Sequence, residues 1–167
     1  MTELSTNKIR VIDIKYGTSV DGVGLRTSIY CAGCRNQCEG CHNPQSWDEM
    51  AGTLIDVDTL FEQIVREGMN VTFSGGDPML HPDGFAALAR RIKQETELNI
   101  WCYTGYRFED IMLNPRQRAL AQLCDVIVDG PFVMKLRDTS LRFRGSTNQR
   151  IIDVLKSQNG EICLLDL

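Results

Sequence analysis

The chain has 167 residues, 43% of them hydrophobic, a net charge of -4 and seven cysteines. That size suits one compact domain with its own core, residues 1–167, and is too small to expect two. The acidic balance argues against broad nucleic-acid binding, which needs a basic surface, and no stretch approaches the roughly 18 apolar residues that would cross a bilayer.

The N-terminus, MTELSTNKIR, lacks the apolar run of a secretory signal. The protein is therefore expected in the cytoplasm, with no membrane partner. In that reducing compartment an odd number of cysteines fits ligands plus spare core thiols better than a disulfide framework.

In chain order, Leu25, Thr27, Ile29 and Cys31 alternate with Arg26, Ser28 and Tyr30. This period of two predicts a strand that runs into YCAGCRNQCEGCHN. Asp56 or Asp58 can cap a helix whose Leu60, Phe61, Ile64 and Val65 form one apolar stripe, stopped by Gly68. NVTFSGGDP reads as a short strand ending in glycines. Pro82 and Asp83 open a second helix with Phe85, Leu88, Ala89 and Ile92 at helical spacing. ELNIWCYTG is a third strand, and a less regular helical stretch interrupted by Pro115 leads to the strand DVIVDGP. The terminal EICLLDL reads as a last strand.

Strand–helix alternation predicts an α/β fold with a parallel sheet. In such folds working residues gather at the carboxyl ends of the strands. The cysteine loop, Gly75 and Gly76, Thr104 and Gly105, and Asp129 and Gly130 all follow predicted strands and are expected on one rim.

Between Cys31 and Cys41 lie four cysteines with two, three and two residues between them. Structural zinc sites usually separate their two halves by about a dozen residues or more. An iron–sulfur cluster is larger than an ion and can be wrapped by one short loop, so this spacing suits it better. A ferredoxin-like carrier would need a fourth cluster ligand, and no remote Cys-Pro pair matches the bacterial ferredoxin run. A zinc-stabilised binding module would have no use for the later glycine loops. Cys102, Cys124 and Cys163 read as buried small hydrophobes, and His81 has no assigned role. The basic run from Lys135 to Arg150 reads as a solvated face or a docking surface for a larger partner.

DGVGLRTSIYCAGCRNQCEGCHNP resembles the opening motif of radical S-adenosylmethionine enzymes, its C-x3-C-x2-C core being Cys34, Cys38 and Cys41. TFSGGDPM, WCYTGY, DVIVDGPF and FRGSTNQRIIDV, in that order, resemble the family of anaerobic ribonucleoside-triphosphate reductase activating proteins. The likeness covers nearly the whole chain. It departs from the family pattern at DGVG, where DGPG is usual, and at the additional thiol of Cys31.

The resemblance implies a single-domain partial parallel (β/α) barrel of radical S-adenosylmethionine type. It implies a [4Fe-4S] cluster on Cys34, Cys38 and Cys41 with one open iron, and S-adenosyl-L-methionine bound there. Ser74, Gly75, Gly76 and Asp77 would meet its aminoacyl end, the glycines permitting close approach. Gly40, Cys41 and His42 would offer backbone to its adenine, the His42 side chain being a bystander, and Thr104 and Gly105 would complete the site. No side chain is expected to be catalytic, since cluster and S-adenosylmethionine carry the chemistry. The implied partners are the large catalytic subunit of the reductase, on which a glycyl radical is made, and a flavodoxin- or ferredoxin-like reductant. The alternatives are an activase of another glycyl-radical enzyme such as pyruvate formate-lyase, or a small-molecule radical enzyme of the same kind. Cys31, at the end of the strand and on the face of Ile29, is expected to point into the core and not to ligate.

Overall fold

The computed structural model describes residues 7–41, 44–158 and 160–167. Its centre is one seven-stranded sheet in the order β3-β1-β2-β4-β5-β6-β7. The strands are β1 (Lys8–Thr18), β2 (Arg26–Cys31), β3 (Thr53–Asp56), β4 (Asn70–Gly75), β5 (Ile100–Tyr103), β6 (Val126–Asp129) and β7 (Arg150–Asp153). The helices are α1 (Val57–Glu67), α2 (Pro82–Glu95), α3 (Phe108–Ile111) and α4 (Pro115–Ala121).

The expected parallel sheet is present only in its middle. β2, β4, β5 and β6 pair in parallel, whereas β1 pairs antiparallel with β2 and β3, and β7 pairs antiparallel with β6. The edge strands β3 and β7 do not pair with each other, so the sheet is open. From β2 to β6 the chain always steps in the same direction across the sheet. Right-handed crossovers then put every connecting helix on one face.

The two faces differ accordingly. Ile29, Cys31, Val71, Phe73, Ile100, Cys102, Ile127 and Ile152 point to the helix side and join its main apolar core. The alternate residues Trp101, Val126, Val128 and Ile151 form a smaller cluster on the other face, packed by Tyr103, Phe143 and Leu165.

Local sequence explains the elements. In α1 the buried stripe is Val57, Leu60, Phe61 and Ile64, positions i, i+3, i+4 and i+7 of one helical face. Val65, expected in that stripe, is exposed, because it lies about 100° round the helix from Ile64, at the edge of the buried face. Gly68 ends the helix at φ 67°, its N–H reaching the Ile64 carbonyl. In α2 Phe85, Leu88, Ala89 and Ile92 are all buried; each such side chain contributes about 1.5–3 kcal/mol, less for alanine. Pro115 does not interrupt one helix but begins α4 at its first position, with the Asn114 side chain capping the amides of Arg116 and Gln117.

Leu25 lies outside β2 and is 60% exposed, so the expected alternation starts one residue later. All six residues of β2 are buried because both of its faces are covered. The terminal EICLLDL forms no strand. It follows β7 through one isolated bridge, Ile152 to Leu164, with the Asp153 and Leu165 amides bonded to Cys163 and Ile151. Cys163 is accordingly only half-buried, unlike Cys102 and Cys124.

Candidate functional site

The four parallel strands end on a common rim, where a cleft of about 120 Å³ opens. Cys34, Asn36 and Cys38 come to it from the loop after β2. Ser74, Gly75, Gly76 and Asp77 come from the end of β4, and Tyr103, Thr104 and Gly105 from the end of β5. Val128, Gly130, Pro131, Phe132 and Gln149 complete its wall. Segments separated by more than a hundred residues of chain thus converge as the strand-end rule predicts.

Backbone bonds hold the cysteine loop against the glycine loop. The Gly76 amide donates to the Cys31 carbonyl at 2.8 Å, the Asp77 amide to the Gly33 carbonyl at 2.7 Å, and the Gly33 amide to the Ser46 carbonyl at 2.6 Å. The glycines are required by this contact. At Gly75, φ is +106° and a Cβ would stand 2.2 Å from the Cys31 nitrogen; at Gly76 it would stand 2.4 Å from the Gly33 oxygen. The space read from sequence as room for a ligand is therefore, in the first place, room for the cysteine loop. At Gly105 a Cβ would meet the end of the Asn36 side chain at 1.9 Å, a contact that side chain can relieve by turning, unlike the backbone contacts at Gly75 and Gly76.

Asp77 ties the third loop in. It is buried, and Oδ1 accepts from Thr104 Oγ1 at 2.8 Å and from the Met79 amide at 3.0 Å while Oδ2 accepts from the Gly105 amide at 2.9 Å. Burial pushes its carboxyl up to about 6, opposed by those three donors. Both oxygens are committed to protein donors, so the side chain is placed to fix the loops.

Burial also raises the Cys34 and Cys38 thiols, with the Phe132 backbone pulling Cys38 back down. Cys31 is buried in the apolar core, and desolvation drives its thiol far above the ordinary range. Gly40 lies outside the cleft lining, beneath Met134 and Phe132. Cys41 follows, its amide bonded to the Cys38 carbonyl at 3.1 Å. His42 lies outside the described residues.

Among the described residues no three His, Cys, Asp or Glu side chains converge as they would on a single ion. One ion bound by thiolates at about 2.3 Å needs its sulfurs packed closely, whereas a cluster of several irons spreads its cysteines over a wider span. Three half-buried thiols on one loop, two of them lining a cleft, fit the larger group. A larger hollow of about 360 Å³ lies between β1 and the start of α2 and shares only Asp77 with the cleft. Its thiol is the buried Cys31, so the chemistry points to the smaller cleft.

Sequence reasoning missed Asn36, Tyr103, Phe132 and Gln149 as cleft residues. It also missed the clasp beside them. Arg150 bonds both oxygens of buried Asp129, at 3.0 and 2.5 Å, and reaches Glu109 at 2.6 Å, while Asp129 accepts from the Phe108 amide at 2.8 Å. Arg150 in turn holds the Glu109 carboxyl down at about 2. The one available signal was FRGSTNQR, which contains Gln149 and Arg150 but says nothing of their partners.

Fold and cysteine loop together define an iron–sulfur domain, and residues 20–152 match the family of 4Fe-4S single cluster domains. The anaerobic ribonucleoside-triphosphate reductase-activating protein of Haemophilus influenzae is 38% identical over 143 residues, 79% of this chain and 90% of that one. That of Escherichia coli K12 is 36% identical over 141 residues, 78% and 89% of the two chains. That of phage T4 is 34% identical over 140 residues, 79% and 86%. The chain belongs to the family of anaerobic ribonucleoside-triphosphate reductase-activating proteins.

Proposed function

We propose that this chain activates an anaerobic ribonucleoside-triphosphate reductase by reductive cleavage of S-adenosylmethionine at a [4Fe-4S] cluster held by Cys34, Cys38 and Cys41. The observation that carries the reading is the convergence of Cys34 and Cys38 with the Ser74–Asp77 and Thr104–Gly105 loops in one cleft. The open sheet is read as a partial barrel, built on the four parallel strands of one radical S-adenosylmethionine domain.

Three thiolates on a four-iron cluster leave one iron for a small molecule, while a fourth would close it. Held by Cys34, Cys38 and Cys41, that cluster would supply the electron for breaking a carbon–sulfur bond of S-adenosylmethionine, the chemistry by which a glycine of the reductase would give up a hydrogen atom to the 5'-deoxyadenosyl fragment. The protein's own part is positional. Asp77 holds the β4 and β5 loops together through Thr104 and Gly105, and the Gly33 and Cys31 carbonyls hold the cysteine loop to the β4 loop. Ser74, Gly75, Gly76 and Thr104 then present backbone and short side chains to the aminoacyl end, with Gly40 and Cys41 toward the adenine; His42, expected beside them, lies outside the described residues. Val128, Pro131 and Phe132 give the cleft an apolar wall that limits water near the reacting carbon. Cys31 stays in the core as a bystander. A flavodoxin- or ferredoxin-like protein delivers the electron in the cytoplasm.

The test is anaerobic reconstitution followed by iron and sulfide analysis and chromatography of the quenched reaction. Close to one four-iron cluster per chain, with 5'-deoxyadenosine and methionine formed on reduction, is expected. A reduced, cluster-replete sample that yields no 5'-deoxyadenosine even with the reductase present ends this reading, and a zinc-only analysis points to a binding module instead.

A further inference from the structure

The chain between β6 and β7 folds as a lobe at the mouth of the cleft. A single 3-10 turn, Met134–Leu136, is followed by an antiparallel bridge between Arg137 and Ser146. The Asp138 amide bonds the Gly145 carbonyl at 3.1 Å and the Thr147 amide bonds the Leu136 carbonyl at 2.9 Å. Ser146 is fully buried, and its hydroxyl accepts from the Val133 amide at 3.2 Å. Gln149 anchors the lobe's base, donating to the Gly130 carbonyl and accepting from the Gly145 and Ser146 amides. The lobe is thus an ordered platform. It adjoins the cluster loop directly, since Met134 and Phe132 pack on Gly40 and Phe132 lines the cleft.

This platform is basic in an acidic protein. It carries Lys135, Arg137, Arg142 and Arg144 against one carboxylate, Asp138, while the chain as a whole has net charge -4. Asp138 is occupied locally, its Oδ1 accepting from the Ser140 amide at 2.9 Å and hydroxyl at 2.6 Å. Arg144 is spent inside the lobe on the Gln149 and Thr147 carbonyls. Lys135, Arg137 and Arg142 are exposed and form no ion pair among the described residues. Exposed cations elsewhere are divided: Arg35, Lys93, Arg107 and Arg116 face a carboxylate, while Lys15, Arg66, Arg90 and Lys156 form no ion pair among the described residues, so what sets this patch apart is its clustering beside the cleft. Arg142 is also oriented, its guanidinium lying 4.8 Å from the Phe143 ring, which packs edge-on against Trp101. Met134 and Leu136 stand between these cations, 41% and 42% exposed.

Unpaired cations around two exposed apolar side chains, on a rigid platform beside the cleft, have the make-up of a protein-docking patch. We infer that Lys135, Arg137 and Arg142, with Met134 and Leu136, form the docking surface for an acidic segment of the reductase that flanks the residue entering the cleft. This rests on the proposed function for the partner's identity; the charge and the position of the patch supply the rest. Unpaired surface charges of this kind act chiefly on encounter rate and lose force with salt.

The test uses a triple charge reversal, Lys135→Glu, Arg137→Glu and Arg142→Glu, and a milder triple replacement by Gln. The full-length reductase is the binding probe, and dithionite serves as reductant so that no protein donor is present. Iron content, S-adenosylmethionine binding and uncoupled 5'-deoxyadenosine formation should match wild type in both variants. The reductase concentration for half-maximal glycyl-radical formation, read by electron paramagnetic resonance, should rise ~10-fold or more in the reversal variant, less in the Gln variant, with the gap closing at about 0.5 M salt. Direct binding of reductase should weaken in parallel, and that arm reads docking even if wild type forms no 5'-deoxyadenosine and the functional reading fails. Unchanged reductase binding and half-saturation overturn the inference. So does a defect that appears only when a flavodoxin replaces dithionite, which would assign the patch to the electron donor.

Discussion

Asp77 and Thr104 stand 27 residues apart in the chain, and their side chains meet at 2.8 Å beneath the rim. This bond ties the loop after β4 to the loop after β5, and the cysteine loop is joined to the former by the Asp77 amide on the Gly33 carbonyl. Folded Asp77 titrates at about 6 because of burial, above the roughly 3.9 of an unfolded aspartate. Between about pH 4 and 6 the folded protein therefore keeps a proton that the unfolded chain has lost. Stability from this group is fully present below about pH 4 and falls as pH rises, by up to about 3 kcal/mol. Urea unfolding of wild type and Asp77→Asn across that window should show wild type losing stability relative to the variant as pH rises. A pH-independent difference would contradict it.

Replacing Gly76 by Ala puts a Cβ against the Gly33 carbonyl, next to the first proposed ligand. Both cluster content and S-adenosylmethionine affinity are expected to drop, because the cysteine loop must shift. Iron analysis after reconstitution reads the first and equilibrium binding the second. Normal cluster content with weakened binding alone would mean that the glycine makes room for the ligand and not for the loop.

The proposed ligand set predicts that Cys34→Ala, Cys38→Ala and Cys41→Ala each abolish a stable, active cluster. Cys31→Ala should retain iron, sulfide and 5'-deoxyadenosine formation and cost about 1 kcal/mol of stability for the small void left in the core. Inactivity of Cys31→Ala, with one of the other three dispensable, would reassign the fourth thiol.

Arg150 is the main counter-charge of buried Asp129. Arg150→Met strands that carboxylate, and removal of one partner from a buried pair typically costs about 3–5 kcal/mol. Adding Asp129→Asn should recover part of the loss in thermal melts, since the neutral amide tolerates burial better. If the double variant melts no higher than Arg150→Met, the clasp is not what holds β7 to the Phe108 turn.

Much of this protein is written locally. The stripe of α2, the stop at Gly68, the three inner strands β4, β5 and β6, and the glycines that follow them are set by residues close in sequence, where periodicity and turn chemistry act within a few positions. The likeness to the activating-protein family is legible for the same reason, since each of its motifs is a short run at a strand end. The antiparallel edges were not legible: β1 is long and polar on its exposed stretch, and β3 and β7 are four residues each. Such strands owe their state to the neighbour they pair with, which local pattern does not encode. Nor could the sequence tell that Gly76 makes way for Gly33, or that Asp77 spends both oxygens on the next loop. Those are contacts between segments that only the folded sheet brings to one rim, and the same closeness makes Asn36, Phe132 and Gln149 part of the cleft.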